Sequence, residues 1–181
     1  LRHRWHAASL PEVRVRMGLT RGTVLAGNVG SRRRMKFGLV GDSVNLASRL
    51  EALCKRYGVS VLVDGSVREA PEVAGAFLFR PLDLVVVKGR SGTTELFELV
   101  AAREDPEAQP SAPAHCFAEE FAVILALYRA GDFRGALGAL EPYRRRWPDD
   151  VPARMVAERC GALLAQPPGP GWSPVETLTD K

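Results

Sequence analysis

From Val13 the chain alternates, with Val13, Val15, Met17 and Leu19 on one side and Arg14, Arg16 and Gly18 on the other. A period of two with one apolar side predicts a half-buried strand. Gly22 interrupts it, and Thr23 to Gly30 continues in small and β-branched residues, its glycines suiting backbone that lies close to a ligand or another chain. Ser31-Arg-Arg-Arg34 reads as a loop and Met35 to Val40 as a returning strand. Asp42 and Ser43 offer N-caps for a helix in which Val44, Ala47, Leu50 and Cys54 recur at helical spacing. Glu51 and Lys55 support it as an i,i+4 pair, and Gly58 closes it. Val59 to Val63 predicts a short buried strand, and Gly65 to Ala70 a short helix stopped by Pro71. Phe77 to Val87 and Thr94 to Val100 predict two strands joined across the glycine-containing loop Lys88-Gly-Arg-Ser-Gly92. Strands with a helix on one face predict an α+β layer.

Residues 101–114 hold prolines, alanines and charges without periodicity and read as a linker. Beyond them the period becomes helical. Phe117, Phe121, Ile124, Leu125 and Tyr128 share one face; Gly131-Asp132 turns the chain; Phe133, Ala136, Leu137, Leu140 and Tyr143 share the next. Pro148-Asp-Asp150 breaks this helix, and Val151 to Ala165 predicts a third. The pair spaced Leu127-Tyr128-x-x-Gly131-Asp132-Phe133-x-x-Ala136-Leu137 looks like a single tetratricopeptide-like unit. One such unit cannot bury its own face, so it is expected to pack on the rest of the chain or on a partner. The segments expected are therefore 1–100, a linker at 101–114, a helical extension at 115–166 and an irregular tail at 167–181.

Composition narrows the function classes. The 181 residues are 46% hydrophobic, enough for a packed core, and the net charge of +4 suits an anionic ligand without arguing for nucleic acid. Cys54, Cys116 and Cys160 are odd in number and widely spaced, which favours a reducing, intracellular compartment over a disulfide framework. His3, His6 and His115 are equally scattered and predict no metal site. No apolar run approaches the roughly 20 residues of a membrane span. The chain begins at Leu1 without an initiating Met, so it is expected to be a fragment, with any membrane attachment confined to segments upstream.

The stretch Gly41-Asp-Ser-Val-Asn-Leu-Ala-Ser-Arg-Leu-Glu51 carries the most chemistry. Asn45 and Arg49, four apart on a helix, emerge on one face; a guanidinium beside an amide can grip a phosphate and orient a ribose. The same spacing also suits an arginine paired with a glutamate and an asparagine capping a loop.

This stretch closely resembles the helix signature of class III adenylate and guanylate cyclases. Val13 to Ser31, with glycines at 18, 22, 27 and 30, looks like the family's long strand before the hairpin, and Val87-Lys-Gly-Arg90 like its phosphate-contacting strand end. The resemblance covers about Val13 to Val100, and the helical tail is similar to extensions after bacterial-type cyclase domains. It implies part of a ferredoxin-like cyclase domain followed by the small helical extension. It also implies a phosphorus-oxygen lyase that closes ATP to 3′,5′-cyclic AMP with release of pyrophosphate in intracellular signalling. Asn45 would position the ribose, Arg49 would stabilise charge on the α-phosphate, Lys88 would bind the β- and γ-phosphates, and Arg34 would help neutralise the pyrophosphate. Two Mg²⁺ or Mn²⁺ ions are implied, with their aspartates expected in a half of the domain N-terminal to the matched region. Asp42 is not one of these ligands. Gly38 stands where the family often places a base-reading side chain, which leaves ATP against GTP undetermined. A homodimer or a cyclase partner chain would complete the site, in the cytoplasm or in the cytoplasmic part of a membrane-bound protein.

Three other functions are compatible with parts of the sequence. The chain could be a guanylate cyclase, or a non-catalytic homologue serving as a dimerisation partner, although the joint presence of Asn45, Arg49 and Lys88 argues against the latter. A nucleic-acid or peptide module using Arg32 to Lys36 is weakened because no aromatic residues interleave with that basic run, and no nucleic-acid partner is expected.

Overall fold

The computed structural model describes residues 15–31, 34–73, 75–87, 92–103 and 112–178. Strand β1 is Met17–Leu19, and β2 (Leu25–Ser31) and β3 (Arg34–Val40) form a hairpin. Helix α1 (Asp42–Tyr57) leads into β4 (Val61–Asp64), the single turn α2 (Gly65–Arg68), β5 (Phe77–Val87) and β6 (Thr93–Ala102). Three helices follow, α3 (Ala112–Arg129), α4 (Phe133–Arg146) and α5 (Val151–Ala165), and then β7 (Glu176–Leu178). The sheet order is β1-β4-β6-β5-β7, with β1 parallel to β4 and β7 parallel to β5; β2 and β3 form a separate two-stranded sheet.

This is a mixed α+β arrangement around one core. Helix α1 buries Leu46, Leu50, Cys54 and Tyr57, all within one stripe, against β1 and β4. Each buried leucine contributes about 2 kcal/mol. Helices α3 to α5 close over β5 with Phe121, Ile124, Leu125, Tyr128, Ala136, Leu140, Tyr143, Val156 and Cys160, and all join the same cluster as the α1 residues. The helical unit thus covers its apolar face with this chain's own sheet.

Strand β5 is bent by a register shift. Pro81 pairs with Phe97 and Asp83 with Leu96, leaving Leu82 without a partner in β6. Buried positions change there from Leu78, Arg80 and Leu82 to Asp83, Val85 and Val87. A bulge of this kind re-aims the side chains that follow it.

Four expectations change. The apolar side of β1 is outside: Val15, Met17 and Leu19 are exposed, while Gly18 on the other side meets α1. Ser31 and Arg34, read as loop, end the two strands of the hairpin; Arg32 and Arg33 lie outside the described residues. Asp42 is the first residue of α1, not its cap; Gly41 holds the cap position without a side-chain hydrogen bond. From the first turn the Asp42 carboxylate still faces the positive end of the helix dipole. The tail, read as irregular, returns β7 to the sheet beside Val85–Val87.

Candidate functional site

Asn45 lies in the first turn of α1 and Arg49 one turn on, so both leave the same face, along one edge of the buried stripe. Asn45 is exposed and Arg49 half-buried. Among the described residues neither side chain has a hydrogen-bond or ion-pair partner, so the glutamate pairing that the spacing allowed for Arg49 does not form there.

The helix that carries them is seated directly on β1. A Cβ on Gly18 would stand 2.2 Å from the Ala47 carbonyl oxygen and 2.4 Å from the Glu51 nitrogen. Only glycine permits that approach. Arg16 Nε donates to Glu51 Oε1 at 3.2 Å, and the Cys54 thiol lies 3.4 Å from the Met17 carbonyl. Burial pushes the Cys54 thiol up, so it stays a neutral packing group. At the start of the helix the Gly41 carbonyl accepts the N–H groups of Val44 and Asn45.

The hairpin projects from the start of this helix. Its tip needs glycine at Gly30, where φ is +139° and a Cβ would meet the Arg34 carbonyl at 2.1 Å. Gly38 lies directly opposite Gly27. With no Cβ on either strand, that face has a gap flanked by the pairs Leu25–Val40 and Val29–Lys36. Both hairpin faces are apolar and open, with Leu25 76% and Phe37 74% exposed.

The structure brings Asn45 and Arg49 together but leaves Arg34 at the far end of β3, about 20 Å of strand from Val40. Gly38 sits between them in the hairpin. Lys88 lies outside the described residues.

The described carboxylates do not fit a pair of metal ions. Asp64 accepts from the hydroxyls of Thr20 at 2.8 Å and Ser66 at 2.5 Å, and Asp83 accepts from Tyr57 and Arg159. Among the described residues no group of three or more His, Cys, Asp or Glu side chains could hold a metal ion.

Two buried charge clusters escaped the sequence reading. Arg80, 1% exposed, pairs with Glu98 and Asp150, donates to the Tyr143 hydroxyl, and lies 4.0 Å from the Phe117 ring centre. Burial opposes its charge, but the two carboxylates outweigh this and hold the guanidinium above its ordinary value. Asp83, 2% exposed, joins Tyr57 of α1 to Arg159 of α5. Burial and the neighbouring Asp83 charge raise the Tyr57 phenol, which keeps its proton as a donor. Their partners are up to 76 positions apart. The only linear signal is a charge at Arg80 and at Asp83 in an otherwise apolar strand.

The model of the adenylate and guanylate cyclase catalytic domain matches residues 3–100. Adenylate cyclase 1 of Rhizobium meliloti is 43% identical over 94 residues, 52% of this chain and 14% of that protein. The adenylate cyclase of Anabaena cylindrica is 39% identical over 93 residues, 51% of this chain and 18% of that protein. The chain thus spans less than a fifth of either relative's length. The crystal structure of the adenylyl cyclase CyaB from P. aeruginosa is 29% identical, covers 57% of this chain and 52% of that one, and superposes with a TM-score of 0.44. Among the described residues no helix is long and apolar enough to cross a membrane.

Proposed function

This chain belongs to the adenylate and guanylate cyclase catalytic-domain family, and from that premise we propose that it supplies the ribose- and phosphate-handling side of a site that turns ATP into 3′,5′-cyclic AMP. The observation that carries this reading is the Asn45–Arg49 pair, one helical turn apart and without partners among the described residues.

In the proposed reaction the 3′-hydroxyl oxygen attacks the α-phosphorus. A new O–P bond closes the ring, the bond to the β-phosphate oxygen breaks, and pyrophosphate leaves with its electron pair while the hydroxyl proton passes to solvent or a base. Asn45 orients the ribose so that attack is in line. Arg49 donates to the α-phosphate oxygens as charge develops, an interaction worth on the order of 3 kcal/mol. Lys88 takes the terminal phosphates. Arg34, at the hairpin tip, is assigned to pyrophosphate charge in an assembled dimer. The Gly27–Gly38 gap is the proposed base position, and ATP over GTP is our choice within it.

The two divalent ions implied by the family, Mg²⁺ or Mn²⁺, do not fit the described carboxylates, so no step is routed through them. Their ligands are assigned to the half of the cyclase domain N-terminal to the matched region. The exposed hairpin supports a second cyclase chain as partner, in the cytoplasm. The body is proposed to be the ferredoxin-like portion of the cyclase domain, extending to about residue 100. Of the expected linker 101–114, the part between the end of β6 and the start of α3 would link it to a tetratricopeptide-like helical unit, expected at 115–166.

The test is steady-state kinetics on the protein assembled with its partner. Asn45→Ala and Arg49→Ala should each lower kcat by about 100-fold while KM stays within about threefold. Lys88→Ala should chiefly raise KM, and Gly38→Thr should shift the ATP-to-GTP ratio of kcat/KM. Near-wild-type kcat in Arg49→Ala would overturn the reading.

A further inference from the structure

Helix α1 ends in a polar junction that the proposed chemistry does not use. The hydroxyl of Tyr57, its last residue and 1% exposed, donates to Asp83 Oδ2 at 2.7 Å. The same oxygen accepts from an Arg159 terminal nitrogen at 2.9 Å, while Asp83 Oδ1 accepts the Leu84 N–H at 2.9 Å. Arg159 also places its Nε 3.3 Å from Glu176 Oε1 on β7. The other oxygen of Glu176 lies 3.9 Å from Arg56, the residue before Tyr57. Two routes therefore run from one arginine on α5 to the last two residues of α1. The route through Asp83 is buried and strongly hydrogen-bonded. The Glu176–Arg56 contact is partly exposed and contributes little.

The β5 bulge makes this junction possible. Without the unpaired Leu82, Asp83 would fall, together with Val85 and Val87, on the side of the strand opposite Leu78 and Arg80. A buried carboxylate survives only where its lone pairs are taken, and here a phenol, a guanidinium and a backbone amide take them.

We propose that Arg159 is a positioning residue for the Asn45–Arg49 pair, holding the C-terminal end of α1 through Asp83 and Tyr57. This rests on the cyclase reading of that pair. Helix α1 is seated at Gly18 near Ala47 and Glu51 and is clamped again at Tyr57. Two fixed points on a rigid rod prevent it from rolling about its axis. With the end released, a roll about the Gly18 seat carries the exposed Asn45 and Arg49 side chains sideways. A misplacement of about 1 Å can cost about 100-fold in rate, so a partial roll predicts a smaller loss.

The experiment compares wild type with Tyr57→Phe, Arg159→Met and Arg159→Lys. Tyr57→Phe keeps the buried ring and removes only the hydroxyl, so it carries the test if Arg159→Met does not fold. Amide hydrogen exchange on the 181-residue chain should be about 10-fold faster within 42–57 in Tyr57→Phe and Arg159→Met, with exchange in β6 and α3 unchanged. Arg159→Lys keeps the charge but not the planar fork and should fall between. In the assembled protein the same substitutions should lower kcat by about 10-fold with KM within about threefold. Unchanged exchange of α1 in Tyr57→Phe overturns the clamp. Faster exchange with unchanged kcat overturns the positioning role. A wild-type assembly with no turnover instead refutes the cyclase reading, and the exchange data still decide whether the clamp exists.

Discussion

The β2–β3 hairpin and the β5–β6 pair are both antiparallel ladders rich in valine, leucine and phenylalanine, yet they meet water very differently. In β5–β6, Leu82, Val85, Val87 and Leu96 are buried under α1 and α3, and the charges at Arg80 and Asp83 are fully paired. In the hairpin, Leu25, Val29, Met35, Phe37, Leu39 and Val40 are all more than half exposed. An apolar strand records that water is to be excluded, without recording by what. For β5–β6 the cover comes from this chain, whereas among the described residues the hairpin has no further strand beside it and no helix packed over it. Two-stranded ribbons are marginal alone, and contiguous exposed apolar surface marks a contact face. The open hairpin therefore supports the proposed partner chain over it.

The largest break in this contrast should come from Arg80→Ala. It strands Glu98 and Asp150 in the core and should cost about 3–5 kcal/mol, read as loss of the urea transition midpoint. Arg34→Ala at the hairpin tip should change the unfolding free energy by no more than about 0.5 kcal/mol. If the two variants cost the same, the body and the hairpin do not differ as described.

A smaller effect separates two glycines. Gly18→Ala forces a methyl into the α1 backbone and should cost about 1–3 kcal/mol in thermal unfolding. Gly27 has no heavy atom within 4 Å of a built Cβ, so Gly27→Ala should lie within about 0.5 kcal/mol of wild type. A stable Gly18→Ala would show that α1 is not seated on β1.

The smallest stability effect is expected from Phe37→Ser, within about 0.5 kcal/mol because the ring is already in water. Its consequence should appear in association. Sedimentation velocity should show weaker binding to the cyclase partner, or to a second copy, than for wild type. Unchanged association would remove the hairpin from the interface.

Much of the element order is legible in the sequence because local period and punctuation act over a few residues. Leu50 and Cys54 of the expected stripe, the glycine after Tyr57 and the faces beginning at Phe117 and Phe133 recur in the structure, whereas Leu46 and Tyr57 take the buried places expected for Val44 and Ala47. The cap is one residue earlier than the acidic residue suggests, because Gly41 and not Asp42 occupies that position. The Asn45–Arg49 juxtaposition follows from helix geometry alone, and Gly41 to Glu51 identified the family. The separation of Arg34 from that pair could not be read, since it depends on the length and direction of the hairpin.

By itself, then, the sequence determined the helices, the strands before the tail, the family and the juxtaposition of Asn45 with Arg49, all matters of local spacing. Only the tertiary structure decided which side of β1 faces water, how the bulge turns Asp83 inward, and that Arg159 and Glu176 come to rest beside the end of α1. Those outcomes are set by contacts between residues dozens of positions apart, where the cost of leaving a charge buried and unpaired selects the partners and linear spacing carries no record of them.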